Sequence, residues 1–197
     1  HLLVFRNLFN APVFEDLNFE IITNFGSFLA ILFIFRKDVI RLIKNFFNYL
    51  FNKDEKEKKK SLLDFKYCLN IIIATIPIGI AGFLLKDKLE GILSSLTIVG
   101  ISFLITAICL LLVSKIKGNK KDQDITIKDA IIIGLVQMIA LVPGISRSGS
   151  TLVGCLFRDM KRDTALKFSF MLYFPVSIAT FGLSMVEIIQ EGNFSNL

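Results

Sequence analysis

Nine consecutive residues, Pro143-Gly144-Ile145-Ser146-Arg147-Ser148-Gly149-Ser150-Thr151, carry one guanidinium and four hydroxyl side chains where an apolar stretch turns. An arginine at membrane depth costs several kcal/mol on insertion scales, so it is expected to face a protein or water-filled interior and to meet an anion. Its planar fork of donors fits phosphate bidentately, and Ser146, Ser148 and Ser150 set neutral donors beside it. Gly144 and Gly149 allow close backbone approach, and a helix resuming near Leu152 would aim its free N–H groups back at the loop. Together they describe an oxyanion cradle. The alternative is a helix contact of small residues with Arg147 reaching back to the interface.

Four other residue groups can bear on that chemistry. Gln137, nine residues before Ser146, can orient a ligand or bond a neighbouring helix. His1 is the single histidine; an imidazole suits proton transfer or attack on phosphorus, while its position at the start of the chain suits a solvated terminus, the reading its residue context favours. Glu20, Thr23, Asn24 and Ser27 fall at helical spacing on one face that should point inward. Glu20 is either a metal or substrate contact or a boundary carboxylate. Cys68, Cys109 and Cys155 lie in apolar stretches without metal-ligand spacing and read as packing residues.

The elements that hold these residues are set by composition. The 197 residues are 53% hydrophobic with 20 Phe, no Trp and a mean hydropathy of +0.64, which excludes a water-soluble globule. Continuous Ile/Leu/Phe runs lack the alternation of a barrel, so the fold class is all-α: a polytopic membrane helical bundle. Residues 19–35, 67–85, 92–113 and 168–189 are each about long enough to cross a hydrocarbon core of ~30 Å. Residues 130–142 are too short to cross and are followed by Pro143-Gly144, so 130–157 is expected to form a re-entrant helix-loop-helix hairpin.

Eighteen of the 23 lysines and arginines fall in residues 36–60, 114–129 and 158–167. A hairpin that enters and leaves by one face puts all three segments on the cytoplasmic side, as the positive-inside bias requires. Residues 1–18 and the tail are then outside. The run Lys53 to Lys60 also contains Asp54, Glu55 and Glu57 and reads as a solvated loop, with a lipid-recognition patch as the alternative. The net charge of +6 is thereby explained by topology and gives no argument for nucleic acid. A shift of 149 positions aligns Leu3 with Leu152, Val4 with Val153, Phe19 with Phe168, Phe25 with Phe174 and Ala30 with Ala179. Because the two copies start on opposite sides, this faint repeat suggests inverted halves.

Pro143-Gly144-Ile145-Ser146-Arg147-Ser148-Gly149, preceded by Gln137 and followed by Phe168-Ser169-Phe170 and Pro175, resembles the second signature of the undecaprenyl-diphosphatase family, the bacitracin-resistance phosphatases. Phe19-Glu20 with Gly26-Ser27, and Ile76-Pro77 with Gly79 and Gly82, also resemble that family's pattern, and the likeness runs along the whole chain. The resemblance implies a helical bundle with inverted repeats and re-entrant hairpins in the bacterial plasma membrane. It implies hydrolysis of undecaprenyl diphosphate to undecaprenyl phosphate and inorganic phosphate, which recycles the carrier lipid of peptidoglycan synthesis and bears on bacitracin resistance. Ser146, Arg147, Ser148 and Gly149 would form the diphosphate-binding loop, and His1 would act as nucleophile or acid/base. A divalent cation, Mg or Ca, is implied as well. The family's first-signature carboxylates and serine would precede His1, so the chain reads as incomplete at both ends and is expected to be inactive alone. A lipid-phosphate transporter or flippase using the same midplane site is the rival, and phosphate release in detergent distinguishes the two.

Overall fold

The computed structural model describes the backbone of residues 17–90 and 96–191, with side chains within residues 23–85 and 97–182. Seven helices make up these residues: α1 (Leu17–Phe51), α2 (Glu55–Glu90), α3 (Leu96–Val113), α4 (Ile127–Met138), α5 (Arg147–Phe157), α6 (Arg162–Met171) and α7 (Tyr173–Glu191). Short 3-10 turns occupy Asp122–Asp124 and Ile139–Leu141. Among the described residues the one β contact is an isolated bridge between Lys120 and Met160. His1 lies outside the described residues, as do the rest of the expected outer segment up to residue 16 and the first members of the pairs Leu3/Leu152 and Val4/Val153.

Two described segments are long and apolar enough to cross a bilayer, Glu55–Leu85 and Arg162–Gly182, and Thr97–Val113 is a shorter apolar helix. They overlap three of the four expected spans, and the fourth, 19–35, lies within α1. The boundaries differ in two places. The run Lys53 to Lys60 is not a loop beyond its first two residues: α1 runs without interruption to Phe51, and α2 starts at Glu55 after a three-residue turn. Lysine and glutamate are good helix formers, and polar and aromatic pairs join the two helices along this stretch. Cys68 points its thiol at the Leu42 carbonyl, Asn45 Nδ2 donates to Asp64 Oδ2 at 2.6 Å, Asn48 Nδ2 donates to Ser61 Oγ at 2.9 Å, and the rings of Tyr49 and Phe65 stack at 4.2 Å.

The apolar segment 168–189 is the second difference. It is interrupted at Leu172, between α6 and α7. Pro175 explains the break, since it has no N–H and its ring crowds the carbonyl of Met171 four residues earlier. Leu172 itself keeps helical backbone angles, φ −64° and ψ −21°, and Tyr173 follows it with its ring under the Arg147 guanidinium of α5.

α4, the turn at Ile139–Leu141 and α5 form an antiparallel helix-loop-helix hairpin whose two feet are tied together. Asp129, with a fully buried side chain, accepts from Arg158 Nε at 2.7 Å and from Lys120 Nζ at 2.9 Å. Its second role is local. Thr126 caps α4, receiving the Asp129 N–H at 3.2 Å and giving its own N–H and hydroxyl to Asp129 Oδ2. One carboxylate therefore starts α4 and clamps the end of α5. Lys120 in turn is held through its backbone, which bonds Asp159 and Lys161.

The hairpin packs on α2, where Gly134 is required: a Cβ there would sit 2.6 Å from the Ala74 carbonyl oxygen. Ala74, Ala130, Ile133, Cys155, Ala165 and Phe168 are fully buried at this junction. Cys155 thus fills space, and all three cysteines are free. The Phe168 ring meets Tyr67 edge-on at 5.5 Å, fixing α6 against α2. Lys167 of α6 reaches Asp38 of α1 and Asp122, both at 2.9 Å.

Candidate anion-binding site

The site is the tip of the hairpin. Val142 is extended, Gly144 adopts φ +92°, and α5 begins at Arg147 with Ser146 as its N-cap. The helix thus starts five residues earlier than Leu152, so Arg147, Ser148 and Gly149 are its first turn. Serine explains the early start: Ser146 Oγ accepts the Gly149 N–H at 3.1 Å, satisfying one of the orphan donors. The Gly149 N–H is consumed in this way and is not offered to a ligand. The N–H groups of Arg147 and Ser148 keep no partner among the described residues.

Gly144 is dictated twice over. Its φ is one that side chains rarely adopt, and a Cβ would approach the Val99 carbonyl oxygen of α3 to 2.8 Å. Close packing on α3 also brings Thr106 Oγ1 to 3.4 Å from the Ser146 N–H. Ser146 and Ser148 are exposed, with their hydroxyls 3.5 Å apart. Two donors therefore sit at the mouth beside free backbone N–H groups, whereas the third expected one, the Ser150 hydroxyl, donates to the Ser146 carbonyl at 3.0 Å, one turn back in its own helix.

Arg147 does not have the anionic partner expected for it. Among the described residues it forms no ion pair, and its guanidinium lies over the Tyr173 ring at 4.7 Å. An aromatic face orients the planar group and stabilises its charge without occupying the N–H edges. Those donors remain available. Tyr173 is itself fixed, its hydroxyl donating to the Asn24 carbonyl of α1 at 3.2 Å.

Beneath the arginine is a cavity of about 10 Å³, room for about one oxygen atom, lined by Gln137, Arg147, Ser148, Thr151, Ser169 and Tyr173 among others. Gln137 is 0% exposed, and neither its Nε2 nor its Oε1 has a hydrogen-bond partner. A buried amide left unpaired is costly, so it marks a position built for a ligand or water. Of the two alternatives for Gln137, a bond to a neighbouring helix is not made.

Sequence reasoning gave no role to two side chains that shape this floor. Ser169 of α6 donates to the Ser148 carbonyl at 3.0 Å and forms a very short contact with Thr151 Oγ1, joining α6 to the first turn of α5. Tyr173 stands four residues beyond Ser169, and that helical spacing is the one signal in the sequence that could have found it. Thr151 is spent inside the structure, bonding the Arg147 and Ser148 carbonyls as well. The face of Thr23, Asn24 and Ser27 does not point inward as expected. These residues are exposed, and the Ser27 hydroxyl bonds the Thr23 carbonyl of its own helix, so it needs no interior partner.

Metal ligands do not gather here. Among the described residues no group of three or more His, Cys, Asp or Glu side chains could hold an ion. Glu20 is in the first turn of α1, where only backbone is described.

An unneutralised arginine, a capped helix start with spare N–H groups and an unpaired amide around one small cavity define a class: an apolar helical bundle with a candidate anion site at the tip of a helix-loop-helix unit. The chain belongs to the bacitracin resistance protein BacA family, which matches residues 1–196. It is 44% identical over 197 residues to undecaprenyl-diphosphatase 2 of Bacillus thuringiensis, covering all of this chain and 71% of that protein. It is 43% identical over 199 residues to an undecaprenyl-diphosphatase of Oceanobacillus iheyensis, covering all of this chain and 70% of the relative. A third relative, undecaprenyl-diphosphatase 1 of Halalkalibacterium halodurans, is 37% identical over 197 residues, again with this chain fully covered and 70% of the relative.

Proposed function

We propose that this protein hydrolyses undecaprenyl diphosphate to undecaprenyl phosphate and inorganic phosphate, the activity its relatives are named for, and so recycles the carrier lipid of cell-wall synthesis. The observation that carries the reading is Arg147: a guanidinium held by an aromatic ring, with its donor edges open, lining one small cavity with the unpaired amide of Gln137. Hydrolysis adds a water oxygen to one phosphorus while the bridging oxygen departs with the bonding pair. Negative charge grows on the phosphoryl and bridging oxygens. Arg147, the N–H groups of Arg147 and Ser148, and the Ser146 and Ser148 hydroxyls are fixed donors for that charge, and prearranged donors cost no reorganisation during reaction. Gln137 would take one phosphoryl oxygen in the small cavity. His1 stays assigned by resemblance as nucleophile or acid/base. A divalent cation, Mg or Ca, is assigned in the same way, and the described residues supply no ligand set for it.

The proposal includes a multi-pass position in the bacterial plasma membrane with a re-entrant α4–α5 hairpin. It is supported by the Asp129 clamp, which ties the entering and leaving arms at one level beside Lys120 and Arg158. It includes inverted repeats, supported by the contact between Tyr173 and Asn24. These positions are 149 apart, the spacing of the sequence repeat, and equivalent residues meet each other at a two-fold axis.

Phosphate release from a prenyl diphosphate in detergent micelles, measured with the family's first-signature residues restored ahead of His1, tests the activity, because no vesicle is present for a transporter to work across. Arg147→Ala is expected to lower the rate by about two to three orders of magnitude. An unchanged rate would overturn the assignment.

A further inference from the structure

The stretch of α1 from Lys37 to Asn48 and the start of α2 from Glu57 to Ser61 contribute nothing to the anion site, yet they flank a cavity of about 540 Å³. Lys37, Arg41, Lys44 and Lys60 line it, with Asn45 and Ser61. The one acid, Glu57, is held by Lys60 at 2.6 Å. Lys37 and Lys44 stand seven residues apart on one face of α1 and form no ion pair among the described residues. Arg41 reaches Asp38 and Asp64 at 3.3 and 3.4 Å, both long for a charge-assisted pair, so its fork is only loosely engaged. The cavity therefore carries positive charge that the chain does not neutralise.

The flanking stripe of the same helix is apolar and exposed. Phe33 is 68% and Ile40 65% exposed, and they share the seven-residue spacing of Lys37 and Lys44. Phe33 lies about 6 Å further toward the apolar half of α1 than Lys37, at 1.5 Å per residue. Charge at Lys37, Arg41 and Lys44 with exposed hydrocarbon beside it at Ile40, and about one turn further along at Phe33, whose ring lies under the Arg36 guanidinium at 4.4 Å, is the profile of a glycerophosphate headgroup with its acyl chains. A free phosphate would have no use for the stripe.

We propose that this cavity holds the headgroup phosphate of an anionic phospholipid from the cytoplasmic leaflet, gripped by Lys37, Lys44 and Arg41, with acyl chains along Phe33 and Ile40. The proposal rests on the membrane orientation above but not on the hydrolase reaction. It turns the basic segment from a topological signal into a binding site.

Lipid retained by the protein extracted from mixed phosphatidylglycerol/phosphatidylcholine nanodiscs, counted by native mass spectrometry, tests it. Phosphatidylglycerol should be enriched on the unmodified protein. Lys37→Gln with Lys44→Gln should reduce that enrichment about fivefold per lysine, about twenty-five-fold together, while Lys37→Arg with Lys44→Arg retains it. Lys115→Gln with Lys117→Gln, which removes equal charge elsewhere, should change it less than twofold. Equal losses in the two Gln pairs would mean diffuse attraction only and would overturn the site. Displacement of the lipid by soluble glycerol phosphate would assign the pocket to the free headgroup and overturn the lipid reading. Arg147→Ala keeps phosphatidylglycerol enrichment, so phosphate release measured on the same samples reports separately on the reaction.

Discussion

Gln137 is the residue where stability and function pull apart. Its amide is sealed from solvent with no partner, and an unpaired buried polar group costs about 1–3 kcal/mol. Replacing it by leucine, of similar volume, removes that cost. Gln137→Leu is therefore expected to melt no lower than the unmodified protein while its KM for a prenyl diphosphate rises about tenfold or more, the loss of one hydrogen bond to a charged group. A lower melting temperature with unchanged KM would make Gln137 a structural residue. The sequence located Gln137 and Arg147 because a polar group inside an apolar run is conspicuous. It could not reveal that Tyr173 takes the place of a counter-ion, because an aromatic residue in an apolar helix looks like any other packing residue.

At the scale of elements, the hairpin depends on a tip that only glycine fits and a foot that only an ionised carboxylate ties. Gly144→Ala forces a side chain into the left-handed region and against α3, with a backbone cost of about 1–3 kcal/mol before any overlap. Thermal unfolding should show that loss, together with reduced activity from a displaced Arg147; an unshifted midpoint would refute the packing argument. At the foot, burial pushes the Asp129 carboxyl upward, but hydrogen bonds from the Thr126 N–H and hydroxyl, Lys120 and Arg158 outweigh it and hold the group at about 2. A carboxyl lowered from its unfolded value of about 3.9 contributes stability that is complete above that pH and is lost as pH falls toward 2. The melting temperature should drop over that window, and Asp129→Asn should flatten this part of the profile while lowering stability at neutral pH. The hairpin itself was legible from the 13-residue apolar stretch and Pro143-Gly144. The clamp was not, since Lys120, Asp129 and Arg158 are distant in sequence and each looks like an ordinary interfacial charge. The start of α5 was missed for a related reason: Ser146 can serve as a loop donor or a helix cap, and only the fold decides that it does the second.

For the whole molecule, the largest departure from the sequence reading concerns the run Lys53 to Lys60, where charge density suggested a solvated loop. Asn45, Asn48, Ser61 and Asp64 satisfy one another across the helix pair, so polar residues that would loosen a loop hold two rods together. A protease needs several residues of extended chain, which intact helices withhold. Within residues 36–60, trypsin added to the face that carries this segment should cut first after Lys53, in the turn, and leave the other eight basic positions intact; a ladder of cuts across them would contradict the helix pair. Nicking there leaves both rods docked, so the cleaved polypeptide should still migrate as one particle in mild detergent and come apart only when denatured.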